Sequence, residues 1–122
     1  MNMLALFPEV DARAFHSSRL RIHPVQAQTV RGLTPNRDCV VVVPTEKYIC
    51  EGVYLIEENG WEGLARCERL FGSGGKVWVK RELPCGDRED ILPAEWFAEH
   101  VIGFVVANII VTNEAILRRA TL

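Results

Sequence analysis

Asp38 to Val43 is the segment that most restricts how this chain can fold: an aspartate, a cysteine and then four valines in a row. A run this apolar and β-branched, bounded by turn signals, predicts a buried strand. The residues before it, Thr29 to Arg37, include Gly32, Pro35 and Asn36 and predict a loop. That loop delivers a hydroxyl residue, Thr29, a fixed distance ahead of the strand. Binding and catalytic groups concentrate on loops carried by a rigid strand. The stretch from Gln28 to Val43 therefore poses the functional question for the whole chain.

Around this stretch the sequence alternates short strand patterns with tight turns. Residues 1 to 19 are the least patterned; LALF is a short strand or one helical turn. RLRIHPV, from Arg19, alternates polar and apolar residues and predicts a half-exposed strand, with Pro24 placing it at an edge or a strand end. His23 is a surface residue of that strand, since it has no ligating partners nearby in sequence. Pro44 to Glu51 is a polar turn, and GVYLIE, Gly52 to Glu57, is a further strand. Asn59-Gly60 is the strongest short hairpin signal, and Glu62 to Leu70 returns as a strand. Its parity puts Leu64, Arg66, Glu68 and Leu70 on one face and Ala65, Cys67 and Arg69 on the other. A helix competes for ARCERL, but Gly63, Gly72 and the length favour a strand.

FGSGG, Phe71 to Gly75, lacks the Lys-Ser/Thr and the following helix of a phosphate loop and predicts a hairpin turn. KVWVKREL, Lys76 to Leu83, is a half-exposed strand. Pro84 to Asp90 is a polar loop; its Asp87, Glu89 and Asp90 surround Arg88 and form a solvated turn rather than a metal site. Leu92 to Glu95 opens a single helical turn with Trp96 and Phe97 on its apolar side. Val101 to Ala107 is the last strong strand, extended by Asn108 to Thr112. Gly103 within it predicts a bulge or a close backbone approach. Residues 113 to 122 form a tail or a short helix. The whole is a mainly β domain of antiparallel hairpins.

Composition narrows the function classes. At 122 residues the chain is one domain that buries about two thirds of its unfolded surface. A net charge of −2 excludes a whole-domain basic footprint for nucleic acid. No apolar run is long enough to span a membrane, and MNMLALFPEV lacks the basic start of a secretory signal. Cys39, Cys50, Cys67 and Cys85 with three histidines do not make the close ligand pairs of a zinc site. No cofactor is expected. Cys39 and Cys67 fall in strand patterns as small buried hydrophobes, and a reducing cytoplasm suits these thiols.

The order of these elements resembles the C-terminal domain of LexA and of lambda-type phage repressors, the serine–lysine self-cleaving fold shared with signal peptidases. The family pattern runs roughly Gly-Asp-Ser-Met-x-Pro-Thr-Leu-x-x-Gly-Asp into an apolar strand. A Gly-started strand, a hairpin, a strand with Val-Lys-Arg-Leu, another hairpin and a terminal strand near Ile-Ile-Gly-Arg-Val-Val follow. Here Asp38 takes the last Asp, followed by CVVVV; GVYLIE matches the Gly-started strand. ARCERL, FGSGG and KVWVK match the lysine strand, its hairpin and the next strand, and VIGFVV the last. The resemblance covers about residues 22 to 111, within a domain spanning 20 to 112.

Carried over residue by residue, the resemblance puts Thr29 at the serine nucleophile and Val30 at the methionine. The lysine falls on Glu68 or, with a shift of two that keeps the strand face, on Arg66. The family's self-cleavage needs a hydroxyl deprotonated by a buried neutral lysine. Arginine stays protonated and cannot serve. The Gly-Asp before the nucleophile is Ala27-Gln28, and neither Ala-Gly nor Cys-Gly, the family's cleavage dipeptides, occurs in residues 1 to 28. As ordinary residues, Arg66 and Glu68 are half of cross-strand charge pairs and Thr29 is a loop hydroxyl bonding its own backbone.

The resemblance thus implies a catalytically inactive repressor-type domain that mediates self-association or partner binding in transcriptional regulation of a phage or mobile element. Its partner is a second copy or another repressor. The terminal strand, through Val101, Phe104, Val106, Ile109 and Val111, is expected to offer an edge for it. No helix-turn-helix is visible, so this chain alone is not expected to read DNA. The alternatives are a divergent self-cleaving peptidase using Thr29, and a stand-alone antirepressor or adaptor.

Overall fold

The computed structural model describes residues 11–26, 32–83 and 85–120. A 3-10 turn, Ala12–His16, is capped by the Asp11 side chain, which accepts the Arg13 amide. Among the described residues seven strands follow: β1 (Arg21–Pro24), β2 (Cys39–Pro44), β3 (Gly52–Glu58), β4 (Trp61–Arg69), β5 (Val77–Leu83), β6 (Gly86–Leu92) and β7 (Val101–Ile109). Two short helices are α1 (Ala94–His100), between β6 and β7, and α2 (Glu114–Ala120). The strands make one antiparallel sheet in the order β1-β2-β7-β3-β4-β5-β6. The mainly β reading of the sequence is what the chain adopts. Among the described residues, no helix is long and apolar enough to cross a membrane.

β2 is the valine run. Val40 and Val42 point into an apolar cluster with Val25, Leu33, Leu55 and Leu64, and Val41 is buried on the opposite face. A strand apolar on both faces belongs inside a sheet, and β2 has β1 on one side and β7 on the other. A second cluster lies on the other side of β3 and β4, where Tyr54, Ile56, Ala65, Cys67, Val77 and Val79 close around Phe97 of α1. Tyr54 meets Phe97 and Phe104 edge-on, each at 5.0 Å. The β4 parity holds: Ala65 and Cys67 are core, Leu64 faces the other cluster, and Arg66 and Glu68 are exposed.

The turns follow their sequence signals. Asn59 and Gly60 both have positive φ, 52° and 78°, as a two-residue hairpin turn of the right twist requires. In the β4–β5 turn, the Leu70 amide donates to the Lys76 carbonyl at 2.9 Å and the Ser73 hydroxyl to the Leu70 carbonyl at 2.6 Å. A Cβ on Gly103 would stand 2.9 Å from the Val43 carbonyl oxygen, the close approach that its place in a strand predicts.

Four expectations need correction. Residues 86–92, expected mostly as loop, form β6, whose pairing with β5 runs from Leu83↔Gly86 to Val77↔Leu92. Its exposed side chains hide the strand from hydrophobic periodicity; main-chain pairing holds it. The single turn expected after Leu92 is the two-turn α1, which buries Phe97. The last strand ends at Ile109, short of Thr112; of the two forms expected beyond it, a tail or a short helix, the chain takes the helix, α2. Finally, β7 is not an edge: it is bonded to β2 over Gly103–Ile109 and to β3 over Val101–Phe104. Among the described strands the outer ones are β1, where Pro24 sits as expected, and β6.

Candidate functional site

The loop into β2 is built around Asp38. Thr34, Asn36 and Arg37 close a turn in which the Asp38 amide donates to the Thr34 carbonyl at 3.0 Å. Asn36 takes φ 63°, a conformation asparagine tolerates better than most residues. The buried Asp38 carboxylate then accepts the Thr34 amide at 2.8 Å and the Val111 amide at 3.1 Å. These two amides, with the Arg37 guanidinium 3.7 Å away, hold its carboxyl below the usual carboxylate range despite desolvation. Arg37 also donates through Nε to the Val111 carbonyl at 2.9 Å. The position at which the family pattern has its last Asp is therefore a clamp between the loop and the exit of β7.

Thr29 lies outside the described residues. Arg66 and Glu68 stand on the face of β4 that continues outward from the Leu55–Leu64 cluster. Both are exposed strand positions. The expected charge pairs are not directly opposite them. Arg66 faces Val53 on one side and Lys80 on the other, and Glu68 faces Trp78. Two cations opposite one another repel, and Lys80 turns to Asp87, 3.5 Å from its Nζ. The β4–β5 register thus brings a lysine beside Arg66 from the next strand, which no reading of the β4 sequence alone would find.

The acidic group of β6 is not a metal cluster. Asp90 accepts from Arg81 at 3.3 Å and from Arg88 at 2.9 Å, and Asp87 is beside Lys80. Arg81 itself is buried, bonded also to Glu58, and its guanidinium lies over the Trp96 ring. Among the described residues, no group of three or more His, Cys, Asp or Glu is placed to hold a metal ion. His23 is half-buried, its Nδ1 3.9 Å from Glu62. The four cysteines are free thiols: Cys67 buried, Cys39 half-buried, Cys50 and Cys85 exposed.

The residues expected as an association edge separate. Val101 and Phe104 are interior to the sheet and half-buried. Val106 and Ile109 are exposed, on the part of β7 beyond its register with β3. Val111 is buried and belongs to the Asp38 clamp. Ile109 does line an apolar groove of about 450 Å³ with Leu20, Ile22, Val41, Ala107 and Asn108. In that groove Ile22, Val41 and Ala107 form one cross-strand row over β1, β2 and β7. No protein-family model matches the sequence, and no curated protein matches it.

Proposed function

We propose that this chain is a repressor-type β domain, similar in strand order to the LexA and lambda-type C-terminal domains, that has lost self-cleavage. It works by associating with a second copy of itself or with another repressor in transcriptional control of a phage or mobile element, in the cytoplasm. The observation that carries this reading is the state of β4. At the two positions where the family's lysine falls, Arg66 and Glu68 are exposed. Neither is the buried neutral amine that a hydroxyl nucleophile needs. The free thiols of all four cysteines support a reducing compartment.

Prolonged incubation at alkaline pH followed by intact mass tests the loss of chemistry. The expected result is an unfragmented chain; a fragment that disappears in Thr29→Ala would sink it. Light scattering over a range of concentrations tests self-association, and a strict monomer would leave hetero-association as an adaptor or antirepressor. A second reading is favoured by Lys80, which lies directly across from Arg66. In it, the chain is a divergent self-cleaving peptidase in which Lys80 supplies the amine from β5. Loss of the same fragment in Lys80→Ala would support that reading.

A further inference from the structure

The two ends of the sheet carry opposite charge. From Ala12 to Arg37 the sequence holds no Asp or Glu and five arginines, of which Arg13 is paired with Asp11 at 2.8 Å and Arg37 is bonded to the Val111 carbonyl. β1 lies inside this stretch, with Arg19 and Arg21 exposed. From Asp87 to Glu99 it holds five carboxylates against the single Arg88. Asp87 and Glu89 are exposed on β6, whereas Glu95 and Glu99 belong to α1, which packs over β3 in the middle of the sheet. Among the described residues, β1 and β6 are the first and last strands of one sheet, so each has one flank of main chain that no described strand pairs with. Each also exposes one isoleucine, Ile22 at 64% and Ile91 at 59%.

We propose that copies of this chain associate head to tail, the β1 edge of one against the β6 edge of the next. The proposal rests on the self-association half of the function proposed above. Charges on an edge strand ordinarily block edge pairing. Here they block it selectively. β1 against β1 sets arginine against arginine, and β6 against β6 sets carboxylate against carboxylate. Only β1 against β6 joins unlike charges, so the same residues exclude the two symmetric contacts and favour the unsymmetric one. A contact of two different edges is heterologous and generates rings or open chains rather than a closed dimer.

The local charges set its strength. Asp90 is already taken up by Arg81 and Arg88, Asp87 is shared with Lys80, and Glu62 faces His23 at the other end. Glu89 therefore carries most of the attraction for Arg19 and Arg21. The main chain of β1 adds little. The Val25 amide donates to the Asp38 carbonyl, so Arg21, His23 and Val25 turn their main chain toward β2. That leaves Ile22 and Pro24 facing outward, and Pro24 has no N–H to give. The association is thus driven by charge and is sensitive to salt. A nucleic acid would explain the arginine end alone, whereas a second copy explains both ends.

Sedimentation of the full chain at low and high salt, with two charge-reversed variants, tests this. Wild type is expected to form species larger than a dimer at low salt and to weaken about tenfold or more as salt rises to about 0.5 M. Arg19→Glu/Arg21→Glu has two acidic ends and Asp87→Lys/Glu89→Lys two basic ones, so each alone is expected to be monomeric. Mixed together they are expected to associate again, which also proves both folded. Association that ignores salt and both reversals overturns the head-to-tail mode and leaves self-association standing. A wild type monomeric at low salt overturns both. A monomer that binds duplex DNA, and loses it in Arg19→Glu/Arg21→Glu, assigns the arginine end to phosphates and also overturns the proposal.

Discussion

The Asp38 carboxylate accepts the Val111 amide at 3.1 Å across a separation of 73 residues, while its other oxygen accepts the Thr34 amide at 2.8 Å. One side chain therefore ties the loop before β2 to the chain leaving β7. Its carboxyl is held low by those amides, so its folded pKa lies below its unfolded value near about 3.9. A depressed carboxylate contributes stability that is fully present above the unfolded pKa and is lost as pH falls through the folded one. Urea unfolding as a function of pH is expected to show this acid limb in wild type and a flatter one in Asp38→Asn. Asp38→Ala, which orphans both amides, is expected to have the lower urea midpoint of the two variants.

Gly103 is expected to tolerate no side chain. Its missing Cβ would meet the Val43 carbonyl oxygen at 2.9 Å and the Val42 Cβ at 3.0 Å, both on a strand already paired with it. Backbone cannot move aside there without disturbing the β2–β7 ladder. Gly103→Ala is expected to cost about 1–3 kcal/mol in equilibrium unfolding, as overpacking does. Gly52 is the useful contrast, since its Cβ would meet the Phe104 ring, a side chain, at 2.7 Å. Gly52→Ala is expected to cost less wherever that ring can turn.

How much of this was legible in the sequence depends on what holds each element. β2, β3, β4 and β5 bury alternate or continuous apolar residues, and periodicity finds them. β6 buries almost nothing and is held by its pairing with β5, a non-local fact that its sequence does not carry. The middle position of β7 is likewise a matter of sheet order: VIGFVV announces a strand but not that both flanks are taken. The role of Asp38 was half legible, as the end of a motif, but its partner Val111 comes from the far end of the chain. Lys80 belongs to the next strand, so aligning β4 with the family pattern does not reach it, and only the Arg66↔Lys80 register puts the two side by side.

Arg81 presents a buried cation with two carboxylate partners. Its side chain is 5% exposed, bonded to Glu58 and, at 3.3 Å, to Asp90. Its Nε is buried with no hydrogen-bond partner, so the site is not fully satisfied even with the arginine present. Removing one member of a buried pair costs about 3–5 kcal/mol, and the partial exposure of Glu58 and Asp90 puts Arg81→Ala toward the lower end. Arg81→Met keeps the aliphatic packing against Trp96 and is expected to lose less. Unfolding both variants against wild type separates lost packing from lost charge.

Cys67 sits beneath that arginine in the core, wholly buried. Desolvation pushes its thiol up to about 12, and the nearby Arg81 cation only partly opposes it. The thiolate is the reactive form, so native Cys67 is expected to resist iodoacetamide at about pH 8. Cys50 and Cys85, both exposed, are expected to alkylate under the same conditions, and half-buried Cys39 more slowly. Peptide mapping by mass spectrometry with and without urea checks the order. Modification of Cys67 only after urea fits a closed core beneath β4 and β5. Its modification at the rate of Cys50 in the folded chain would mean that the cluster around Phe97 opens readily, and the packing of α1 against the sheet would have to be reconsidered.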